Sequence, residues 1–85
     1  MLKKCKKIVD HYGVEHQLDV LVEEMGELLQ AIGKLKRYNA RDNFIEELSD
    51  VSIMLVQMFE SLSETEKEKF IKTMRFKVNR QLERF

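Results

Sequence analysis

The sequence predicts an all-α chain of four helices built around a central antiparallel helical hairpin. Three observations carry that prediction. No proline interrupts the 85 residues. Apolar residues recur in steps of three and four through most of the chain, the period of a helix with one buried face. No segment shows strand alternation, and no low-complexity stretch or linker divides the chain, so residues 1–85 form a single domain. A domain this short has difficulty burying a full core by itself. The helices are therefore expected to complete a four-helix bundle by oligomerisation.

The first helix is expected over 2–12, where Leu2, Cys5, Ile8, Val9 and Tyr12 fall at helical spacing. Gly13 suits its end, because a positive backbone φ costs glycine little. Lys3, Lys4, Lys6 and Lys7 read as a solvated face. The second helix runs from Val14 to Arg37. Val14, Leu18, Leu21, Met25, Leu28, Ile32 and Leu35 alternate steps of four and three and make a heptad seam. At about 100° per residue, Glu24 and Glu27 fall roughly 90–150° to one side of that seam, beside Gln17, Val20 and Ala31.

Tyr38 to Arg41 reads as a connection, with Asn39 as a turn residue. The third helix is placed at 43–62, capped by Asp42 or Asn43, with Asn43 and Glu46 fitting a capping box. Phe44, Leu48, Val51, Leu55, Phe59 and Leu62 form its seam. Glu47 and Asp50 sit at the same offset from Leu48 as Glu24 and Glu27 from Met25. Ser63-Glu64-Thr65-Glu66 is a second capping box, opening a last helix over Glu64–Leu82. Its stripe is Phe70, Ile71, Met74, Val78, Leu82 and Phe85, with Lys77, Arg80 and Arg84 along one flank. Met25, Met54, Met58 and Met74 read as core.

Composition excludes several classes. Fifteen basic and fifteen acidic side chains cancel, which gives no support for a nucleic-acid polymer as partner. Cys5 is the only cysteine, so no intrachain disulfide forms and a reducing cytoplasmic setting is expected. No apolar run matches a signal peptide or a membrane span.

The chemistry concentrates in two echoing stretches. Glu23-Glu24-Met25-Gly26-Glu27 and Glu46-Glu47-Leu48-Ser49-Asp50 each carry an acid pair at i, i+3, a spacing that puts both carboxylates on one helix face. Two such pairs facing each other across a hairpin gather four acids around one point. That gathering needs a proton or a cation to neutralise it. A hard cation such as Mg²⁺, or Mn²⁺ in its place, takes oxygen ligands and is commonly shared with substrate phosphates. No histidine or cysteine cluster favours zinc. Glu24, Glu27, Glu47 and Asp50 are the candidate ligands, with Glu23 or Glu46 as the base that activates a water.

The EEMGE (23–27) and EELSD (46–50) runs resemble the EExxE…ExxD signature of the MazG-like all-α nucleoside triphosphate pyrophosphohydrolases. The resemblance implies Mg²⁺-dependent cleavage of a nucleoside triphosphate to the monophosphate and pyrophosphate. It implies metal ligation at Glu24, Glu27, Glu47 and Asp50. Glu23 would assist with a second metal or with the water, and the active site would be completed in a homodimer or homotetramer. All-α dUTPases and phosphoribosyl-ATP pyrophosphatase share the signature and stay open as alternatives.

Lys77 and Arg80 are candidates to bind the triphosphate, and Gln17, two turns before Glu24 on the same flank, to reach a base or sugar. The competing reading of another class is a helical interaction module with acids only on its surface. A di-iron bundle would pair its glutamates with Glu-x-x-His, and no histidine stands at that spacing here.

Overall fold

The computed structural model describes the whole chain, Met1–Phe85. Four helices follow one another: α1 (Leu2–Tyr12), α2 (Val14–Tyr38), α3 (Arg41–Glu60) and α4 (Glu64–Leu82). The connections are short, and local chemistry explains each. Gly13 joins α1 to α2 at φ +90°, and its amide donates to the Val9 carbonyl at 2.8 Å. Glycine adopts that φ without penalty. Asn39 ends α2 in the left-handed region, with φ 55° and its amide on the Leu35 carbonyl at 2.9 Å. Asparagine is among the few non-glycine residues that tolerate this conformation.

That turn corrects the expected start of the third helix. With only Asn39 and Ala40 between α2 and α3, helix resumes at Arg41 rather than at 43. The left-handed residue reverses the chain at once, so Asn43 already lies inside the helix and no side chain caps it. The anticipated Asn43–Glu46 capping box therefore does not form. Helix α3 also ends at Glu60, two residues before the expected boundary, and the Ser61 hydroxyl donates to the Met58 carbonyl at 2.6 Å. The second anticipated box does form. The Glu66 amide donates to Ser63 Oγ at 3.2 Å, and the Ser63 amide donates to Glu66 Oε1 at 2.9 Å.

Helices α2 and α3 pack as the central hairpin, and α1 lies chiefly against α3. The buried centre consists of Cys5 and Val9 from α1, Gln17 and Ala31 from α2, and Val51, Met54 and Gln57 from α3. The heptad seam of α2 is therefore only partly turned into the chain, with Leu21, Leu28 and Leu35 half-buried. Val14, Leu18, Met25 and Ile32 stay exposed, and the buried line runs along the flank that carries Glu24. The expected seam of α3 is divided, with Leu48 and Leu55 exposed, Val51 buried and Phe44, Phe59 and Leu62 half-buried. Met54 and the half-buried Met58 belong to the packed side as expected, whereas Met25 and Met74 remain 51% exposed. Ala31, 1% exposed, is the most deeply buried residue of α2 and lies on the Glu24 flank.

Helix α4 buries nothing. It is attached to the end of α3 by Phe59 against Phe70, with ring centroids 5.2 Å apart, and by a Lys67–Glu60 ion pair of 3.3 Å. Ile71, Met74, Val78 and Leu82 project from it with roughly half of their surface open. The chain is correspondingly extended. Its radius of gyration is 15.3 Å, against roughly 12 Å for a compact chain of this length. Its accessible surface is 7061 Å², against roughly 5,300 Å² for a folded monomer of this mass. No helix is long and apolar enough to cross a membrane.

Candidate metal centre

The hairpin turns its two acid pairs toward each other. Glu24 and Glu27 come from consecutive turns of α2, and Glu47 comes from the facing turn of α3. One carboxylate oxygen from each of the three lies within 4.8 Å of the others. Glu24 and Glu47 are half-buried and Glu27 is exposed, so the group opens to solvent on the Glu27 side. Asp50, also half-buried, stands just outside this group, close enough for its charge to act on both Glu24 and Glu47.

Electrostatically the site is unbalanced. The Oε2 atoms of Glu24 and Glu47 are shut off from solvent and have no hydrogen-bond partner. Loss of hydration raises both carboxyls above the ordinary value of 4.5. The Glu27 charge is the next cause for each, and Asp50 pushes in the same direction. Every charge that moves these two groups belongs to another acid, and no lysine or arginine of the chain offsets them. A buried, unpartnered carboxylate oxygen is costly, so the arrangement calls for a proton or a cation between the helices. The donors are all carboxylate oxygens, the set that suits a hard divalent cation such as Mg²⁺ or Mn²⁺. The residues fit that group.

The remaining candidates are dispersed. Glu23 is exposed on α2. Glu46 is exposed as well, but its charge reaches Glu47. Gln17 is 5% exposed, and both ends of its amide are engaged. Its Nε2 donates to Gln57 Oε1 at 2.8 Å, and its Oε1 lies 2.8 Å from His16 Nδ1. Lys77 and Arg80 ride on α4, which makes no substantial packing against α2. The Arg80 guanidinium lies over the Phe76 ring at 5.8 Å. Within one chain, then, neither cation is brought to the acids.

Gln57, 2% exposed, is the buried partner of Gln17, and it is the single amide within the otherwise apolar run from Met54 to Met58.

Comparison with known proteins points the same way. Residues 13–82 match the family described as the MazG nucleotide pyrophosphohydrolase domain. The matched span opens at the α1–α2 junction and closes at the last residue of α4, so it includes the hairpin and every acid discussed above. No curated protein and no solved structure matches the chain significantly. Since the match covers well over half of its length, the chain belongs to the MazG nucleotide pyrophosphohydrolase domain family.

Proposed function

We propose that the protein is a divalent-metal-dependent nucleoside triphosphate pyrophosphohydrolase. Its reaction would add water across one phosphoanhydride bond, yielding the nucleoside monophosphate and pyrophosphate. The observation that carries the reading is the pair of buried, unpartnered oxygens on Glu24 and Glu47, which converge with Glu27 from opposite helices of the hairpin. Glu24, Glu27, Glu47 and Asp50 would hold Mg²⁺, or Mn²⁺ in its place. When bound, such an ion offsets charge on phosphate oxygens and lowers the pKa of a water. Glu23 and Glu46 would be the candidate bases that take the proton from the attacking water, Glu46 lying close enough for its charge to reach Glu47. Lys77 and Arg80 would meet the triphosphate from the α4 of a neighbouring copy.

That last assignment requires a homodimer or homotetramer. The surface excess of about 1,700 Å² per chain over a compact monomer is in the range that obligate homodimers bury once both partners are counted. It coincides with the exposed members of the α2 and α3 seams and with the apolar stripe of α4.

The test is direct. The purified protein is incubated with each nucleoside and deoxynucleoside triphosphate and Mg²⁺, and released pyrophosphate is assayed. Glu24→Gln and Asp50→Asn should abolish turnover while the helical content stays intact. Absence of pyrophosphate from every nucleotide, with Glu47→Gln unchanged in metal affinity, would sink the enzyme reading.

A further inference from the structure

The deepest polar groups in the molecule are not the acids. Gln17 and Gln57 are 5% and 2% exposed, and they face each other across the hairpin through a 2.8 Å hydrogen bond. The bond belongs to a chain with one direction. Gln17 spends its Nε2 on Gln57, so its Oε1 accepts and His16 Nδ1 must donate, at 2.8 Å. Gln57 then donates its own Nε2 to Met54 Sδ at 3.6 Å. Tyr12, the last residue of α1, stacks on the His16 ring with centroids 5.4 Å apart. The series therefore runs from the end of α1 through α2 into α3.

The position of this bond relates it to the acids. Seven residues inward along α2 and seven back along α3 bring Glu24 opposite Asp50, and ten bring Glu27 opposite Glu47. Seven residues of helix is about 10 Å. The other end of the hairpin is fixed by the two-residue connection at Asn39–Ala40. The acids thus lie between a tight turn and a buried amide pair. Between them they carry mutual repulsion that tends to part the helices. Apolar contacts accept several registers and rolls of one helix on another, whereas a buried hydrogen bond is satisfied in one only.

We propose that Gln17 and Gln57 are positioning residues. Their buried hydrogen bond fixes the register and roll of α3 on α2, and so preorganises the carboxylates of Glu24, Glu27, Glu47 and Asp50 before metal binds. The consequence for metal rests on the pyrophosphohydrolase reading above; the consequence for register does not.

The variant Gln17→Met/Gln57→Met replaces both amides with apolar side chains of similar length. Removing both partners of a buried hydrogen bond together is close to neutral for stability. The melting temperature should therefore stay within a few degrees of the parent or rise. Two other quantities should move. Affinity for Mn²⁺, titrated by its electron paramagnetic resonance signal, should fall about tenfold or more, and the Mg²⁺ concentration for half-maximal turnover should rise in step.

Register is read without metal from nitroxides at Val22→Cys and Ser52→Cys in a Cys5→Ala background, with labelled chains diluted in unlabelled protein. The parent should give one narrow distance distribution and the double variant a broadened or second one. A distribution unchanged from the parent overturns the proposal, whatever the metal result. If the parent itself binds no Mn²⁺, the pyrophosphohydrolase reading fails and the distance measurement still decides the positioning role. Should the double variant fail to fold, Gln57→Asn gives the same readouts, since it keeps a buried amide but withdraws its oxygen by one methylene.

Discussion

Replacing Glu47 by Gln should move stability in opposite directions according to whether metal is present. In the metal-free protein the Glu47 carboxyl has one oxygen shut from solvent without a partner, and every charge acting on it is negative. A neutral amide of the same shape relieves that repulsion, so the metal-free melting temperature should hold or rise. In the metal-loaded protein the same change removes one donor of the group formed by Glu24, Glu27 and Glu47. Loss of a residue that merely orients a ligand costs roughly 10–100-fold in metal affinity, so loss of the ligand itself is set at about 100-fold.

The size of the effect follows from linkage. Metal at 100 times its parent dissociation constant stabilises the parent by about 2.7 kcal/mol, or roughly 10–20 °C for a domain of this length. At the same concentration the variant keeps about 0.4 kcal/mol, or roughly 2–3 °C. Thermal unfolding followed by circular dichroism, with and without Mn²⁺ at fixed chain concentration, reads both numbers. A variant that melts well below the parent without metal, yet gains as much from Mn²⁺, would refute the reasoning at both steps.

The pH dependence carries a definite sign. Glu24 and Glu47 are raised above 4.5 in the folded chain, so the folded state holds protons that the unfolded state has released. Metal-free stability should therefore fall as pH rises from about 4.5 through the folded pKa values, and divalent metal should reverse that fall at neutral pH. Glu66 runs the other way. Its hydrogen bonds with Ser63 lower its carboxyl, so that contribution is present above 4.5 and lost as pH falls through the folded pKa. Ser63→Ala should cost about 1 kcal/mol and speed amide exchange in the first turn of α4. Val9, 1% exposed, should cost about 1–2.5 kcal/mol when cut to Ala, measured by urea unfolding. If a second copy covers the α4 stripe, Ile71→Asp with Met74→Asp should shift the protein toward the monomer in light scattering and lower its melting temperature.

The parts of the fold that rest on local chemistry were legible in the sequence. Gly13, Asn39 and the Ser63–Glu66 box each stand where a backbone angle or a free amide demands that residue type. The start of α3 was misplaced because two signals competed. Asn43 resembles a cap, but the left-handed Asn39 leaves no room for a longer connection. The facing of α2 was hidden for another reason. Periodicity ranks faces by apolar content, and the richest face of this helix is only partly covered by its own chain. The line buried within the chain holds Gln17, which no hydrophobic scale would choose, and the small Ala31. For the site, the i, i+3 spacing of the acids was readable, and so was their matching offset from Met25 and Leu48. The partnering of Gln17 with Gln57 was not readable, because it depends on a register forty residues apart in the chain.

The shortness of the connections has a kinetic consequence. Helices α1 to α3 are joined by one residue and then by two, so their packing requires only the closure of small loops and should form in a fast, first-order event. Helix α4 gains no buried contact from that event. If a second copy covers it, its docking is a bimolecular step whose rate scales with chain concentration. Refolding should then show two phases, of which only the slower responds to dilution, and catalytic activity should appear with the second. At low copy number, encounter between chains rather than folding would then set when the assembled form appears.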